Sequence, residues 1–407
     1  MTTTTQSMTA MVEQAAVRTA RPRLLTRPLL RVLLIDVCAL TSLYLLLSVT
    51  PMYAAAQGTA GAGAVTAALM WSTLVAELAT PLLVVRYGYR MVLTTGVLLL
   101  GVPALVLVGM ANLSAIFVVC MVRGIGFGVV TVAAGALTAS LLPPERRGEG
   151  LGLLGAAVGL PGVVGLPAGV WLAGHFGFSA VFLVAAASAL AGLAAVPGLP
   201  QRAPHPSHRT SVLAGLRSPA LAGPSVVFAA TTCAAGIIVA FLPLAVGHRS
   251  GSLATLGLFA QAAAATITRW WAGRRSDRRG PASLLLPGLI AAAAGMLLLV
   301  LFANAAVLIG AMVLFGAGFG VTQNATLALM LDRAEPSAYG AVNAVWNFAY
   351  DGGWGVGAAA FGLMVGHSGY PVGFALTAVL MLTAMPAARH AHRRANPRTS
   401  TPGTRTR

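Results

Sequence analysis

RWWAGRRSDRRG, residues Arg269 to Gly280, holds five arginines, two tryptophans and one aspartate in twelve positions. Taken alone it has the look of a nucleic-acid patch, basic with aromatics to stack on bases. Its flanks exclude that. Upstream, 252–272 is almost wholly apolar, and downstream so is 281–302. A membrane-spanning helix needs about 20 such residues. The stretch is therefore a charged joint between two membrane spans.

The rest of the chain follows the same pattern. Of 407 residues, 57% are hydrophobic and 9% charged, with mean hydropathy +0.83. A soluble domain carries about 25% charged residues. The 26 basic residues are all arginine and outnumber nine acids, giving a net charge of +17. A nucleic-acid binder needs a soluble basic face, and the apolar runs leave little domain to carry one. Cys38, Cys120 and Cys233 each lie inside an apolar run. Their spacing fits neither a disulfide framework nor a metal site, and they read as small buried hydrophobes. His175 and His367 fall at span ends and read as interfacial, so no metal is expected. The first 28 residues are polar and arginine-bearing, unlike a cleaved signal peptide.

Twelve apolar stretches emerge: 29–49, 63–85, 91–110, 114–141, 150–173, 178–198, 220–245, 252–272, 281–302, 305–331, 340–365 and 371–388. Cytoplasmic loops of membrane proteins carry an excess of basic residues. With the N-terminus in the cytoplasm, 23 arginines lie on the cytoplasmic side and one, Arg249, lies outside. Arg123 and Arg269 lie within spans. The net charge is thus a signature of topology. The expected organisation is a cytoplasmic tail (1–28), a six-helix half (29–198), a Pro-rich linker (199–219), a second six-helix half (220–388) and a basic tail (389–407).

The two halves are copies. A shift of 192 residues brings Pro51 onto Pro243, Arg86 and Gly88 onto Arg278 and Gly280, and Asn112 onto Asn304. It also brings Gly124, Gly126, Phe127 and Gly128 onto Gly316, Gly318, Phe319 and Gly320, and Gly177 onto Gly369. An even number of spans separates the copies, so both run the same way through the membrane. Parallel six-span repeats around a midplane site are a transporter architecture.

At this point the chain resembles the major facilitator superfamily over nearly its whole length. That family's signature, G-x-x-x-D-R-x-G-R-R between spans 2 and 3, is echoed between spans 8 and 9. Gly273, Arg274, Asp277, Arg278 and Gly280 match the echo well. The first copy keeps Arg86, Gly88 and Arg90 but has Val85 where the family has Asp. Span 4 carries a slightly degenerate R-x-x-x-G pattern from Arg123. Span 5 keeps the glycine spacing of the exporter motif, with Leu166 splitting its Gly-Pro. The resemblance implies an all-α membrane protein of twelve transmembrane helices in two pseudo-symmetric halves. It further implies a cavity lined by spans 1, 2, 4, 5, 7, 8, 10 and 11, and cytoplasmic turns that act as gate latches. Bacterial drug, natural-product and sugar efflux permeases are the relatives it suggests.

Four ionisable residues fall inside these cavity spans: Asp36, Glu77, Arg123 and Asp351. Charges at membrane depth are costly and mark pathways or relays. Asp36 is the expected proton carrier, since a carboxylate shielded from water can take up and release a proton near neutrality. Arg123 is expected to hold Asp36 or Glu77 ionised; the alternative is a static ion pair that fixes packing. In span 11, Asn343, Asn347 and Asp351 recur every four residues and share a face, beside Trp346 and Tyr350. That face could bind an amphipathic solute or hold helices together. Gln323 and Asn324 in span 10 pose the same question. Gly124, Gly126 and Gly128, with Gly159, Gly165 and Gly169 in span 5, read as positions where helices pack closely.

The expected function is secondary active transport, with proton-coupled export of a small lipophilic organic molecule leading. The alternatives are a proton-coupled importer of a sugar or other metabolite, and a non-transporting receptor or scaffold. No phosphate-binding loop or nucleophile–base pair marks an enzyme, and no cofactor is implied. Expected partners are a small molecule, protons and the lipid bilayer, with no nucleic acid and a monomer as the working unit. The expected location is the bacterial plasma membrane, with both termini cytoplasmic.

Overall fold

The computed structural model describes residues 25–55, 59–110, 112–142, 147–202, 218–247, 251–335 and 339–395. These are almost entirely helical. Arg27–Ala54, Thr59–Tyr87, Tyr89–Val106 and Leu113–Leu141 supply spans 1 to 4. Arg147–Ala191 supplies spans 5 and 6, divided at Gly177, whose φ of +79° breaks the helix. Pro219–Val246, Gly251–Arg279, Ala282–Leu298 and Ala305–Asp332 are spans 7 to 10. Tyr339–Leu382 supplies spans 11 and 12, divided at Gly369 (φ +75°). Nine stretches among the described residues are long and apolar enough to cross a bilayer, two of them bent pairs. Span 8 is not among the nine.

The repeat is structural down to its terminators. Asn112 and Asn304 cap spans 4 and 10. Their Oδ1 atoms accept from Ala115 N at 2.7 Å and from Val307 N at 3.2 Å. Such caps satisfy amides that a helix start leaves unbonded. Gly88 and Gly280 turn the chain between spans 2 and 3 and between 8 and 9, with φ of +79° and +78°. The glycine triplets seat equivalent neighbours. A Cβ on Gly126 would meet Leu100 N and Gly96 O of span 3, and one on Gly318 would meet Ala292 N and Gly288 O of span 9. Gly124 and Gly316 likewise press on the backbones of Leu69 and Gln261.

Between the halves, span 2 lies along span 11 and span 5 along span 8. Near the start of span 2, at one end of the first seam, Gly63 sits against the backbone of Ala358 and Gly362. Phe241 of span 7 and Phe361 of span 11 meet nearby at 4.9 Å. Toward the Tyr87 end of span 2, Leu82 is 64% and Val85 71% exposed.

Several expectations on element ends change. The arginines after span 8 do not form a loop, because the helix runs on to Arg279 and turns within Gly280 and Pro281. Arg269 therefore lies ten residues, roughly 15 Å, inside its helix, not at its end. Met385–Ala395 forms a further short helix where the tail was expected to begin. Its Ala388 and Ala391 are buried, and Arg333 Nη2 donates to Ala391 O at 3.0 Å. Gly159 is not a packing glycine: a Cβ there would meet nothing within 4 Å. Gly165 and Gly169 do pack, against Tyr44 and the Leu45 backbone of span 1. The tail 1–24 and the linker residues 203–217 lie outside the described residues.

Candidate functional site: a cluster between the two halves

The chemistry concentrates where the halves meet. Glu77 of span 2 and Asp351 of span 11 are in side-chain hydrogen-bond contact. Two carboxyl groups can make that contact only with a proton between them, since two adjacent carboxylates repel. Beside them, the hydroxyls of Tyr44 (span 1) and Tyr350 (span 11) face each other. Arg269 of span 8 lies close enough to act electrostatically on both tyrosines. Four spans, two from each half, thus contribute to one cluster.

An aromatic ladder rises alongside. Phe228 of span 7 stacks on Trp346 with ring centroids 4.5 Å apart. Trp346 leads to Tyr350 at 6.0 Å, and Tyr350 to Trp354 at 5.4 Å. Every fourth residue of span 11 shares this face, which is why the ladder is continuous. The Trp346 Nε1 donates to Thr326 Oγ1 of span 10 at 3.2 Å. Trp354 packs on Gly236, while its offset partner Gly162 receives Tyr44 at 3.4 Å. The aromatic and the glycine have traded places between the halves, so one scaffold presents different chemistry on its two sides.

The family model described as Major Facilitator Superfamily matches residues 32–358. The chain belongs to the Major Facilitator Superfamily. No curated protein matches it in sequence. Among solved structures it is similar to an inward-facing, occupied bacterial homologue of the human lysosomal transporter Spinster. There the TM-score is 0.75 at 15% identity, covering 90% of this chain and 96% of that one. The xylose transporter XylE from E. coli, partially occluded and inward open, gives 0.73 at 14%, covering 94% and 98%. The nucleoside transporter NupG, in a mutant form, gives 0.68 at 14%, covering 89% and 99%. These likenesses show the fold. Membership makes the chain an integral membrane transporter.

Within this superfamily member, the other expected site residues are dispersed. Arg123 is 2% exposed and its donors are taken by neutral oxygens. Nη1 donates to Leu100 O at 2.8 Å, and Nη2 donates to Ser42 O at 3.2 Å. It makes no ion pair with Asp36 or Glu77, and it ties spans 1, 3 and 4 together. Asp36 is buried on span 1 without a bonded partner among the described residues. Asn343 is exposed, whereas Asn347 and Gln323 are half-buried. Asn324 keeps a buried Oδ1 without a partner.

The first gate turn docks on the linker start of its own half. Arg90 Nε bonds Leu199 O, Tyr89 N donates to Gln201 O at 3.0 Å, and Gln201 Nε2 donates to Tyr87 O at 3.2 Å. Arg86 lies over the neighbouring Tyr87 ring at 5.3 Å. In the second turn, the Arg274 guanidinium sits 3.7 Å from the Trp270 ring centroid. The Asp277 side chain lies outside the described residues.

Sequence reasoning missed Tyr44 and Arg269. The 192-residue offset carried a signal for the second, since it maps Glu77 directly onto Arg269. Tyr44 gave none, because one tyrosine in an apolar span is ordinary.

Proposed function

We propose that the protein is a proton-coupled exporter of a small lipophilic organic molecule, working by alternating access in a bacterial plasma membrane with both termini cytoplasmic. The observation that carries this reading is the Glu77–Asp351 contact. A proton-dependent bond joins the two bodies that must move against each other. Its loss would leave two like charges facing across the seam and favour separation. The aromatic ladder beside it offers an apolar surface for the solute.

Everted vesicles with an imposed pH gradient test the reading over a panel of lipophilic compounds. Gradient-dependent accumulation supports export. Accumulation in right-side-out vesicles would instead make the protein an importer, and no gradient-dependent movement in either would leave a scaffold.

Asp36 is the second place where a proton can reside. Asp36→Asn is expected to slow gradient-driven transport while sparing substrate exchange at equal pH. Intact pH-driven transport in that variant would remove Asp36 from the proton path.

The cytoplasmic latch is asymmetric, with Asp277 in the second turn and the exposed Val85 in the first. Asp277→Asn is expected to lower the transport rate more than Val85→Asp changes it, measured side by side in vesicles. The opposite ranking would assign the latch to the first turn.

A further inference from the structure

Arg269 is a cation at membrane depth with no carboxylate partner among the described residues. Arg123, the other intramembrane arginine, shows how the fold treats a structural one: buried, with its donors spent on backbone oxygens. Arg269 is half-buried and makes none of these bonds. Its charge acts on the Tyr44 and Tyr350 hydroxyls. The acids at this level, Glu77 and Asp351, are engaged with each other.

The repeat shows what is missing. Along the seam of spans 2 and 11, Glu77 meets Asp351. The offset maps Glu77 onto Arg269 and Asp351 onto Gly159, along the seam of spans 5 and 8. There a carboxylate side chain is replaced by none, and a Cβ on Gly159 would meet nothing within 4 Å. The second seam therefore has a permanent positive charge and, at Gly159, room, where the first has a closed acid pair, and the Tyr44 hydroxyl comes to it from span 1 over Gly162. A guanidinium cannot lose its charge and is built to bind a carboxylate in a bidentate fork.

We propose that Arg269, with the Tyr44 and Tyr350 hydroxyls, is the recognition site for an anionic group on the transported molecule. The substrate is then an aromatic or otherwise apolar organic acid. Its carboxylate lies on Arg269 and its body on the Trp346–Tyr350 face. The proposal rests on the transporter reading above and fixes the charge of the solute.

Calorimetric titration of the full-length protein in nanodiscs tests it with three matched probes: 1-naphthoate, neutral 1-naphthylmethanol and cationic 1-naphthylmethylamine. Naphthoate is expected to bind best. Arg269→Gln should weaken it roughly tenfold to a hundredfold, the worth of charge-assisted hydrogen bonds, and leave the alcohol unchanged. Tyr44→Phe, which keeps the ring packed on Gly162, should weaken naphthoate by a few-fold and again spare the alcohol. Thermal unfolding of each variant establishes that it is folded. Unchanged naphthoate affinity in a folded Arg269→Gln protein, stronger binding of the amine, or no saturable naphthoate binding to the native protein would each overturn the site. Naphthoate counterflow in proteoliposomes reports separately on transport. Binding without counterflow would sustain the anion site and remove the transporter reading alone.

Discussion

Glu77→Gln is expected to uncouple transport from the pH gradient. In the native protein the bond to Asp351 exists only while a proton is held between the two carboxyls. A glutamine amide can donate to the Asp351 carboxylate at any pH, so the spans 2 and 11 stay joined and no proton need be released. One pH unit of driving force is worth about 1.4 kcal/mol, a tenfold accumulation ratio. Accumulation should therefore fall roughly tenfold per unit of imposed gradient, toward equilibration. Asp351→Asn should behave alike. Gradient-driven accumulation at the native level in either variant, measured in vesicles with matched expression, would remove the pair from the coupling path.

Gly318→Ala is expected to destabilise the protein strongly, while Gly310→Ala on the same helix should be neutral or mildly stabilising. A Cβ on Gly318 would run into Ala292 N and Gly288 O, which are backbone atoms of span 9 and cannot rotate away. Overpacking of this kind costs about 1–3 kcal/mol or more. At Gly310 a Cβ meets nothing within 4 Å. There the gain in helix propensity, about 0.5–1 kcal/mol, stands alone. Thermal unfolding of the two detergent-solubilised variants separates the cases by sign. Equal melting temperatures would mean that the glycine triplet does not set the helix spacing. The offset extends the expectation to Gly126→Ala in the first half.

The fold was legible because lipid imposes simple rules. Apolar length marks each span, and the 192-residue offset marks the duplication. Gly88, Gly280, Gly177 and Gly369 stood out in the offset, and each proved to be a backbone turn with positive φ. The ends were less legible, because RWWAGRRSDRRG is too charged to look like membrane helix yet continues span 8 by ten residues past Arg269.

The site was legible as a set of residue types and not as a set of pairs. Asp36, Glu77, Arg123 and Asp351 stand out as charges in apolar runs, but which of them meet depends on helix rotation and tilt. Opposite charge suggested Arg123 with Asp36 or Glu77. Instead Arg123 bonds carbonyls, and two acids meet each other, because a proton can serve where a countercharge is absent. Arg269 was hidden by its neighbourhood. Placed beside Trp270, Trp271 and the cytoplasmic arginines, it resembled an interfacial residue until the length of its helix put it within the bundle.

The central claim is that a proton between Glu77 and Asp351 holds spans 2 and 11, and so the two halves, together. Pulsed electron-resonance distances read this without knowledge of the substrate. Spin labels at Tyr87 and Arg279 report the ends of spans 2 and 8, and labels at Met110 and Leu301 report the opposite end of the bundle. The account predicts two populations, one long between Tyr87 and Arg279 and short between Met110 and Leu301, the other the reverse. Raising the pH should shift weight from one population to the other in the native protein and should have no effect in Glu77→Gln. A single population at all pH values, or a pH shift that survives Glu77→Gln, would contradict it.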